Sequence, residues 1–298
     1  MATDQYDFAD PRTRYRSISP PVQHQTEPGL QSEMTPVPDL GEDTYRGSGR
    51  LQGRRALITG GDSGIGGAVA IAYAREGADV AISYLPSEES DAKHIVDLIE
   101  AAGRTALAVP GDVRDSVYCR SLVAATVEGL GGLDIVVSNA GKQVFVERIE
   151  DLSDEQFADT MHTNVFAAFW IVKAAVPHLA PGSTIIVTAS LEAYKQLPFL
   201  LDYATTKGAI NTFSKALAQQ LAPRGIRVNA VAPGPTWTAL QVTDGFPPDM
   251  LPEYGKDSPL GRSGQPAELA PAYVFLASAE SSYVIGETLN VNGGSPTP

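Results

Sequence analysis

Three side chains with acid, base and hydrogen-bonding chemistry lie close together in the second half of the chain. Ser190 follows the apolar, β-branched run at residues 184–188, and Tyr203 and Lys207 are four positions apart at the start of a long helical pattern. The apolar run predicts a buried strand that ends near Ser190. Residues four apart share one face of a helix. We therefore expect the hydroxyl, the phenol and the ammonium to point into one cleft.

These groups are suited to moving a proton. A phenol with a pKa of about 10 is a poor proton donor or acceptor at neutral pH, but an adjacent ammonium stabilises the phenolate and lowers that pKa. Tyr203 then exchanges a proton with a carbonyl or alcohol oxygen, and Ser190 hydrogen-bonds the same oxygen. In isolation, however, a Tyr-x-x-x-Lys pair is more often an ordinary half-exposed helical pair. The choice between this interpretation and a catalytic pair depends on the rest of the chain.

Composition narrows the classes of function. The 298 residues, 43% of them hydrophobic, can bury one sizeable core plus an appendage, which predicts a single domain. The net charge of −13 and the lack of a Lys/Arg cluster argue against binding to nucleic acid or to an anionic membrane. We expect no nucleic-acid partner and no membrane partner.

The cysteine and histidine content argues against a disulfide or metal framework. The single cysteine, Cys119, excludes an intramolecular disulfide and fits a reducing compartment, with a buried structural thiol as the expected role. The four histidines are scattered without metal-ligand spacing, so we expect no metal site. No signal-like opening and no apolar run of membrane-spanning length are present, which predicts a cytoplasmic protein.

Residues 1–49, which we call the arm, differ from the rest of the chain. They contain six prolines, mixed charges and no sustained period, which predicts an extended arm without its own core, followed by a catalytic domain at residues 50–298. The arm either packs on the body or on a neighbouring subunit, or it is disordered, and the sequence favours neither. The apolar side chains available for packing are Tyr6, Phe8, Tyr15, Met34, Val37, Leu40 and Tyr45.

Strand and helix patterns alternate after the arm. This β/α repeat predicts an α/β fold, a Rossmann-type doubly wound parallel sheet in a single domain, whose ligand lies at the carboxyl ends of the strands. The helical patterns include residues 153–175, 203–221 and 266–276. The predicted strands are residues 55–59, 79–83, 105–109, 133–138, 184–188 and 227–231.

The glycine-rich turn at residues 60–66 lies between the first predicted strand and a helix. Glycines there let the backbone approach a pyrophosphate closely, and the helix amino terminus supplies free N–H groups and a positive dipole end. A turn of this kind is a weak signal alone and a moderate one between a strand and a helix. It predicts a nucleotide site.

Taken together, these motifs resemble the short-chain dehydrogenase/reductase family. The resemblance runs from about residue 51 to residue 294 and is carried by Thr59-Gly60-x-x-x-Gly64-Ile65-Gly66, by Asn139-Ala140-Gly141, and by Asn164 with Ser190, Tyr203 and Lys207. Ser138 departs from the family, which commonly has asparagine there. Segments 34–39, 141–143 and 232–240 are similar to a subgroup with a Pro-rich arm, often described as aldehyde reductases, glucose/ribitol dehydrogenase-like proteins or general stress proteins.

The resemblance implies roles for individual residues. Tyr203 would be the acid/base, Asn164 would anchor a water chain to Lys207, and helices 157–175 and 203–221 would pair between subunits in a homotetramer. The residues that would bind the dinucleotide are Gly60, Ser63, Gly64, Ile65, Gly66, Tyr84, Asp112, Val113, Asn139, Ala140, Gly141, Tyr203, Lys207, Pro233, Gly234, Thr236 and Thr238.

The end of the second predicted strand bears on the choice of cofactor. A carboxylate there normally binds the adenosine ribose of NAD and repels a 2′-phosphate, but this chain has Tyr84. No Arg or Lys stands in the glycine turn to hold the phosphate, although Ser83, Ser87 or backbone amides could do so. We predict NADP(H), with NAD(H) as the alternative.

The substrate pocket is predicted from an irregular segment at residues 236–264, which we interpret as a lid. Candidate substrate residues are Gln143, Glu192 and Trp237. The predicted activity is NADP(H)-dependent interconversion of a carbonyl and an alcohol on a small molecule. The alternatives are an NAD-dependent sugar or polyol dehydrogenase, and a dinucleotide-binding sensor or scaffold with little turnover.

Overall fold

The protein alternates strands and helices along the chain. The computed structural model describes residues 4–15 and 18–297. The strands are β1 (Arg55–Thr59), β2 (Asp79–Tyr84), β3 (Ala106–Pro110), β4 (Ile135–Ser138), β5 (Thr184–Thr188), β6 (Arg227–Pro233) and β7 (Thr288–Val291). The helices are α1 (Gly64–Arg75), α2 (Glu89–Ala101), α3 (Ser116–Leu130), α4 (Asp154–Met161), α5 (Ala167–Ala175), α6 (Leu201–Leu221) and α7 (Pro266–Ala277).

All seven strands form one parallel sheet with the order β3-β2-β1-β4-β5-β6-β7. This confirms the predicted doubly wound α/β fold. The strand order reverses between β1 and β4, which opens a crevice at the carboxyl ends of these strands. The last strand, β7, was not among the predicted strands, because its short run Thr-Leu-Asn-Val is only half buried at the sheet edge.

Helices cover both faces of the sheet because successive strand residues point to opposite sides. In β1, Ala56 and Ile58 pack against α1, α2 and α7, whereas Leu57 packs against α3, α5 and α6. All three side chains are fully buried. The near-continuous apolar strands are therefore explained by a sheet that is buried on both faces.

The predicted helix at residues 153–175 is present, but it is not a regular α-helix throughout. A π-helical turn at His162–Phe166 joins α4 to α5. Such a turn inserts an extra residue into the helical repeat, and it is common at functional sites. The helical period alone gave no sign of it.

Over residues 18–49 the arm crosses the body mostly without regular secondary structure and carries a short 3₁₀ turn at Gln31–Glu33. Met34, Leu40 and Tyr45 are buried against the body, whereas Tyr6 and Phe8 are exposed. Where the structure describes the chain, no helix combines the length and apolar character that crossing a membrane requires.

Candidate active site

A cleft of about 490 Å³ lies along the carboxyl ends of the strands. One end is lined by the glycine turn after β1 and by the ends of β2 and β3. The other end is lined by Ser190, Tyr203 and Lys207. The cleft therefore joins the predicted nucleotide site to the predicted acid/base group.

Ser190, Tyr203 and Lys207 meet as the spacing predicts. Ser190 lies just beyond β5, and the other two lie in the first two turns of α6. The Lys207 Nζ is 5.3 Å from the centre of the Tyr203 ring and donates a 2.8 Å hydrogen bond to the Thr188 carbonyl. All three side chains are buried at 7% exposure or less. They form a compact group of donors at one end of the cleft.

Burial is the main influence on the pKa values of Tyr203 and Lys207. Burial raises the pKa of the Tyr203 phenol, which the Ser190 hydroxyl partly offsets and the Glu192 carboxyl increases. Burial also lowers the pKa of Lys207 to about 8. The Lys207 ammonium bonds the Thr188 carbonyl, and a lowering of the phenol pKa by Lys207 stays a prediction.

Asn164 is held by the π-helical turn and packs beneath the cleft without lining it. Its Nδ2 donates to the Thr206 Oγ1 and to the Lys142 carbonyl, both at 2.9 Å, and its Oδ1 accepts from the Lys142 N–H at 2.7 Å. Asn164 thus ties the loop after β4 to the first turns of α6. The predicted water chain from Asn164 to Lys207 stays a prediction.

The glycine turn is required by backbone geometry. Gly60 has φ +59°, and a Cβ there would lie 3.1 Å from the Ala140 Cα. A Cβ on Gly66 would lie 1.8 Å from the Gly60 carbonyl oxygen. Gly60 therefore permits a left-handed backbone that packs closely against Ala140, whereas Gly66, which does not line the cleft, permits the tight turn into α1.

The remaining residues predicted to bind the dinucleotide do line the cleft. They are Gly60, Ser63, Gly64, Ile65, Tyr84, Asp112, Val113, Asn139, Ala140, Gly141, Tyr203, Lys207, Pro233, Gly234, Thr236 and Thr238. Two buried polar atoms in the same end of the cleft, Asp62 Oδ2 and Ser83 Oγ, have no hydrogen-bond partner. Ribose hydroxyls can satisfy both, so the residues present fit an adenine dinucleotide.

Sequence reasoning missed a contribution from the arm. Glu27 and Pro28 line the cleft, and the Glu27 Oε2 pairs with the Lys142 Nζ at 2.5 Å. The Gln31 Oε1 accepts a 2.7 Å hydrogen bond from the Gly64 N–H at the start of α1. These contacts join residues more than 30 positions apart, and no local pattern in the sequence indicates them.

Of the predicted substrate residues, Gln143 and Glu192 line the cleft. The Gln143 Nε2 donates to the Gly245 carbonyl at 2.7 Å, and Glu192 Oε2 accepts from the Leu197 N–H at 2.7 Å. Burial raises the pKa of Glu192. Both side chains are therefore held in fixed positions next to the catalytic group.

Trp237 is not a lining residue, which corrects its assignment to the substrate pocket. Its side chain is fully buried against Met34 of the arm and Leu251 of the predicted lid, and its Nε1 donates a 2.7 Å hydrogen bond to the Pro36 carbonyl. From the sequence alone, a large aromatic side chain in an irregular segment is equally consistent with lining a pocket and with packing in the core. In the structure Trp237 packs in the core, because residues of the arm cover its side chain.

Cys119 and the histidines take no part in the cleft. Burial raises the pKa of the Cys119 thiol to about 12, so the thiol is not a nucleophile at neutral pH. His24 pairs with Asp244, and His162 contacts the Ala158 carbonyl. Across residues 4–15 and 18–297, no group of three or more His, Cys, Asp or Glu side chains has the arrangement of a metal site.

Comparison with known proteins agrees with this geometry. A family model described as enoyl-(acyl carrier protein) reductase matches residues 60–295. The chain is 57% identical over 285 residues to the oxidoreductase YghA of Escherichia coli K12, covering 96% of this chain and 97% of that protein. It is 50% identical to general stress protein 39 of Bacillus subtilis and 41% identical to glucose and ribitol dehydrogenase of Daucus carota, covering 92% of this chain and 96% of each relative.

Solved structures show the same fold. A short-chain dehydrogenase from Burkholderia cenocepacia in complex with NADP superposes with a TM-score of 0.75 and 37% identity, covering 82% of this chain and 98% of that one. A 3-ketoacyl-(acyl-carrier-protein) reductase from Brucella melitensis complexed with NADH has a TM-score of 0.74 and 33% identity, with the same coverage of both chains. By sequence and by fold, the chain belongs to the short-chain dehydrogenase/reductase family of oxidoreductases.

Proposed function

We propose that the protein is an NADP(H)-dependent oxidoreductase that interconverts a carbonyl and an alcohol on a small molecule. The observation that carries this proposal is a continuous cleft with a glycine-lined nucleotide cradle at one end and Ser190, Tyr203 and Lys207 at the other. A carbonyl carbon between these ends lies next to both a proton donor and the place where a nicotinamide ring fits.

In the proposed mechanism, each side chain acts on one oxygen atom. Ser190 donates a hydrogen bond that holds the carbonyl oxygen, and Tyr203 gives its phenolic proton to that oxygen as the alcohol forms. Lys207 positions the site and supplies positive charge below a pH of about 8. When bound, the nicotinamide supplies the hydride in reduction and takes it in oxidation. One hydride and one proton convert the carbonyl to the alcohol.

Two observations bear on the choice of cofactor. The end of β2 carries Tyr84, whose hydroxyl donates to Glu89 at 2.6 Å, and no carboxylate occupies that strand position. This supports NADP(H), which two solved neighbours bind as NADP or NADPH. NAD(H) is the second candidate, supported by the buried carboxyl of Asp62 and by Glu88 in the same end of the cleft.

The catalytic end of the cleft supports a small substrate with polar groups. Gln143 and Glu192 line the cleft together with the apolar and aromatic side chains of Leu197, Phe246 and Tyr254. Small aldehydes, ketones and sugars fit this mixture. A sugar or polyol substrate is also supported by the likeness to a glucose and ribitol dehydrogenase.

We also propose a homotetramer in which helices α4 to α6 pair between subunits. Phe166 and Phe169 expose 40% and 43% of their surface on the α4–α5 helix, which leaves apolar area for a partner. Light scattering should then report four times the mass of one chain. A monomer at micromolar concentration would contradict this assembly.

The test of the activity follows the absorbance of NADPH and of NADH separately with small aldehydes, ketones and sugars. We expect consumption of reduced cofactor with at least one aldehyde. If both cofactors bind but neither is oxidised across the panel, the sensor or scaffold hypothesis replaces the reductase.

A further inference from the structure

We propose that Tyr273 of α7 is a positioning residue for the dinucleotide, although it lies outside the lining of the cleft. Its hydroxyl orients the hydroxyl of Thr188, which in turn holds the side chain of Asn139 in the wall of the cleft. This inference rests on the proposed function, since it requires a dinucleotide in the cleft. It gives α7, on the far side of the sheet from Tyr203, a part in cofactor binding.

Tyr273 carries a polar group into an apolar core. Its side chain is fully buried among the side chains of α1, α7 and the sheet, and its hydroxyl lies 2.8 Å from the Thr188 Oγ1 at the end of β5. A buried phenol hydroxyl is costly unless it is hydrogen-bonded, and a phenylalanine would fill the same space without that cost. The bond to Thr188 is therefore what distinguishes tyrosine from phenylalanine at this position.

The direction of this bond follows from the number of hydrogens available. The Thr188 hydroxyl carries one hydrogen and donates it to the Asn139 Oδ1 at 3.2 Å. The orientation of that amide is fixed, because the Asn139 Nδ2 donates to the Thr59 and Gly60 carbonyls at 3.2 and 3.1 Å, so its Oδ1 can only accept. The hydrogen between Tyr273 and Thr188 then belongs to Tyr273, and the phenol is the donor.

Tyr273, Thr188, Asn139 and Gly60 thus form one directed chain of hydrogen bonds. The chain runs from α7 through the end of β5 and the loop after β4 to the turn after β1. Hydrogen bonds that follow one another in this way polarise and strengthen each other. Without the phenol, the Thr188 hydroxyl can rotate, and its bond to Asn139 is no longer fixed in direction.

The chain ends on residues that line the cleft. Thr188, Asn139 and Gly60 are lining residues, whereas Tyr273 is not. The Asn139 amide packs tightly beneath the glycine turn, since a Cβ on Gly66 would lie 2.7 Å from its Nδ2. A rotation of this amide therefore displaces the turn that forms the wall of the nucleotide cradle.

The catalytic end is insulated from this effect. Lys207 donates to the Thr188 main-chain carbonyl, which belongs to β5 and is held in the sheet. Rotation of the Thr188 hydroxyl leaves that carbonyl in place. We therefore expect Tyr273 to act on dinucleotide binding and not on the proton transfer from Tyr203.

The test separates binding from turnover. Tyr273→Phe removes the donor and keeps the ring. Fluorescence titration gives Kd for NADPH and for NADH, and we expect both to rise by about five-fold, as the loss of one buried hydrogen bond predicts. The kcat at saturating dinucleotide and the KM of the carbonyl substrate should stay within about two-fold of native.

Tyr73→Phe is the matched control. Tyr73 is equally buried, and its hydroxyl donates to the Tyr273 main-chain carbonyl at 3.1 Å, so this variant loses a neighbouring buried hydrogen bond without breaking the chain. Both variants should lower the free energy of unfolding by similar amounts, but only Tyr273→Phe should weaken dinucleotide binding. Equal Kd values in the two variants would overturn the inference, because the phenol would then only stabilise the core.

A second pair of variants tests the next bond of the chain. Thr188→Val removes the hydroxyl and should raise the Kd of both dinucleotides, whereas Thr188→Ser keeps a hydroxyl and should bind them as the native protein does. If Tyr273→Phe does not fold, equal Kd values in these two variants overturn the inference instead. If the native protein binds neither dinucleotide, the proposed function fails together with this inference.

Discussion

The two ends of the cleft are built in different ways. The catalytic end takes Tyr203 and Lys207 from consecutive turns of one helix and Ser190 from the turn just beyond β5. The adenosine end takes its side chains from the glycine turn, from the turn after β2 and from the arm, which are far apart in the sequence. Local spacing therefore specifies the chemistry, whereas tertiary packing specifies how the dinucleotide is held.

The largest effect is expected from a substitution that changes the catalytic end of the cleft alone. Tyr203→Phe removes the proton donor but keeps the ring, so we expect kcat to fall by about 10³-fold. Dinucleotide Kd should change less than about three-fold, because the opposite end is intact. Tyr283→Phe, at a fully exposed tyrosine, is the control. A Tyr203→Phe variant that keeps a tenth of native kcat would remove this residue from the mechanism.

The second effect concerns the adenosine end and its stability. The folded pKa of Asp62 is about 6, above its ordinary value of 3.8, so the folded state binds more protons between these values. The stabilisation is complete below pH 3.8 and is lost as the pH rises through 6. Native protein without added dinucleotide should lose roughly 1 to 2 kcal/mol more than Asp62→Asn between pH 5 and pH 8. Denaturant melts that show identical pH slopes would contradict this.

The third effect tests the arm as part of the adenosine end. Glu27→Gln breaks the ion pair with Lys142 at the cleft. Because Glu27 is half exposed and such pairs contribute little, we expect the dinucleotide to dissociate roughly three-fold faster. Stopped-flow fluorescence measures that rate. Glu33→Gln, an exposed arm residue, should not change it. Equal dissociation rates in the two variants would show that the Glu27 ion pair takes no part in holding the cofactor.

The smallest effect is expected from a substitution of Trp237, which tests whether this side chain packs in the core or lines the substrate pocket. Trp237→Phe loses the hydrogen bond to the Pro36 carbonyl, which should lower the free energy of unfolding by about 1 kcal/mol. The KM for the carbonyl substrate should stay within about two-fold of native, because the indole lies outside the cleft. A large rise in KM with unchanged stability would return Trp237 to the substrate pocket.

The sequence was most informative where a pattern is local. The strands follow from short apolar runs, the helices from the 3.6-residue period, the glycine turn from its place between a strand and a helix, and the Tyr203 and Lys207 pair from its spacing of four. The structure places them as expected. The sequence was least informative where contacts join distant segments. The burial of Trp237 under the arm, the Gln31 bond to α1 and the missing partner of Asp62 all depend on packing that no local period records.

Isotope transfer tests the central claim most directly. The native protein and Tyr203→Phe are incubated with small aldehydes and with NADPH or NADH carrying deuterium at the transferred position, and the alcohol is analysed by mass spectrometry. We predict one deuterium on the new carbon–hydrogen bond with the native protein and almost no product with Tyr203→Phe. Tight binding of both labelled cofactors without labelled alcohol from any substrate would contradict the reductase.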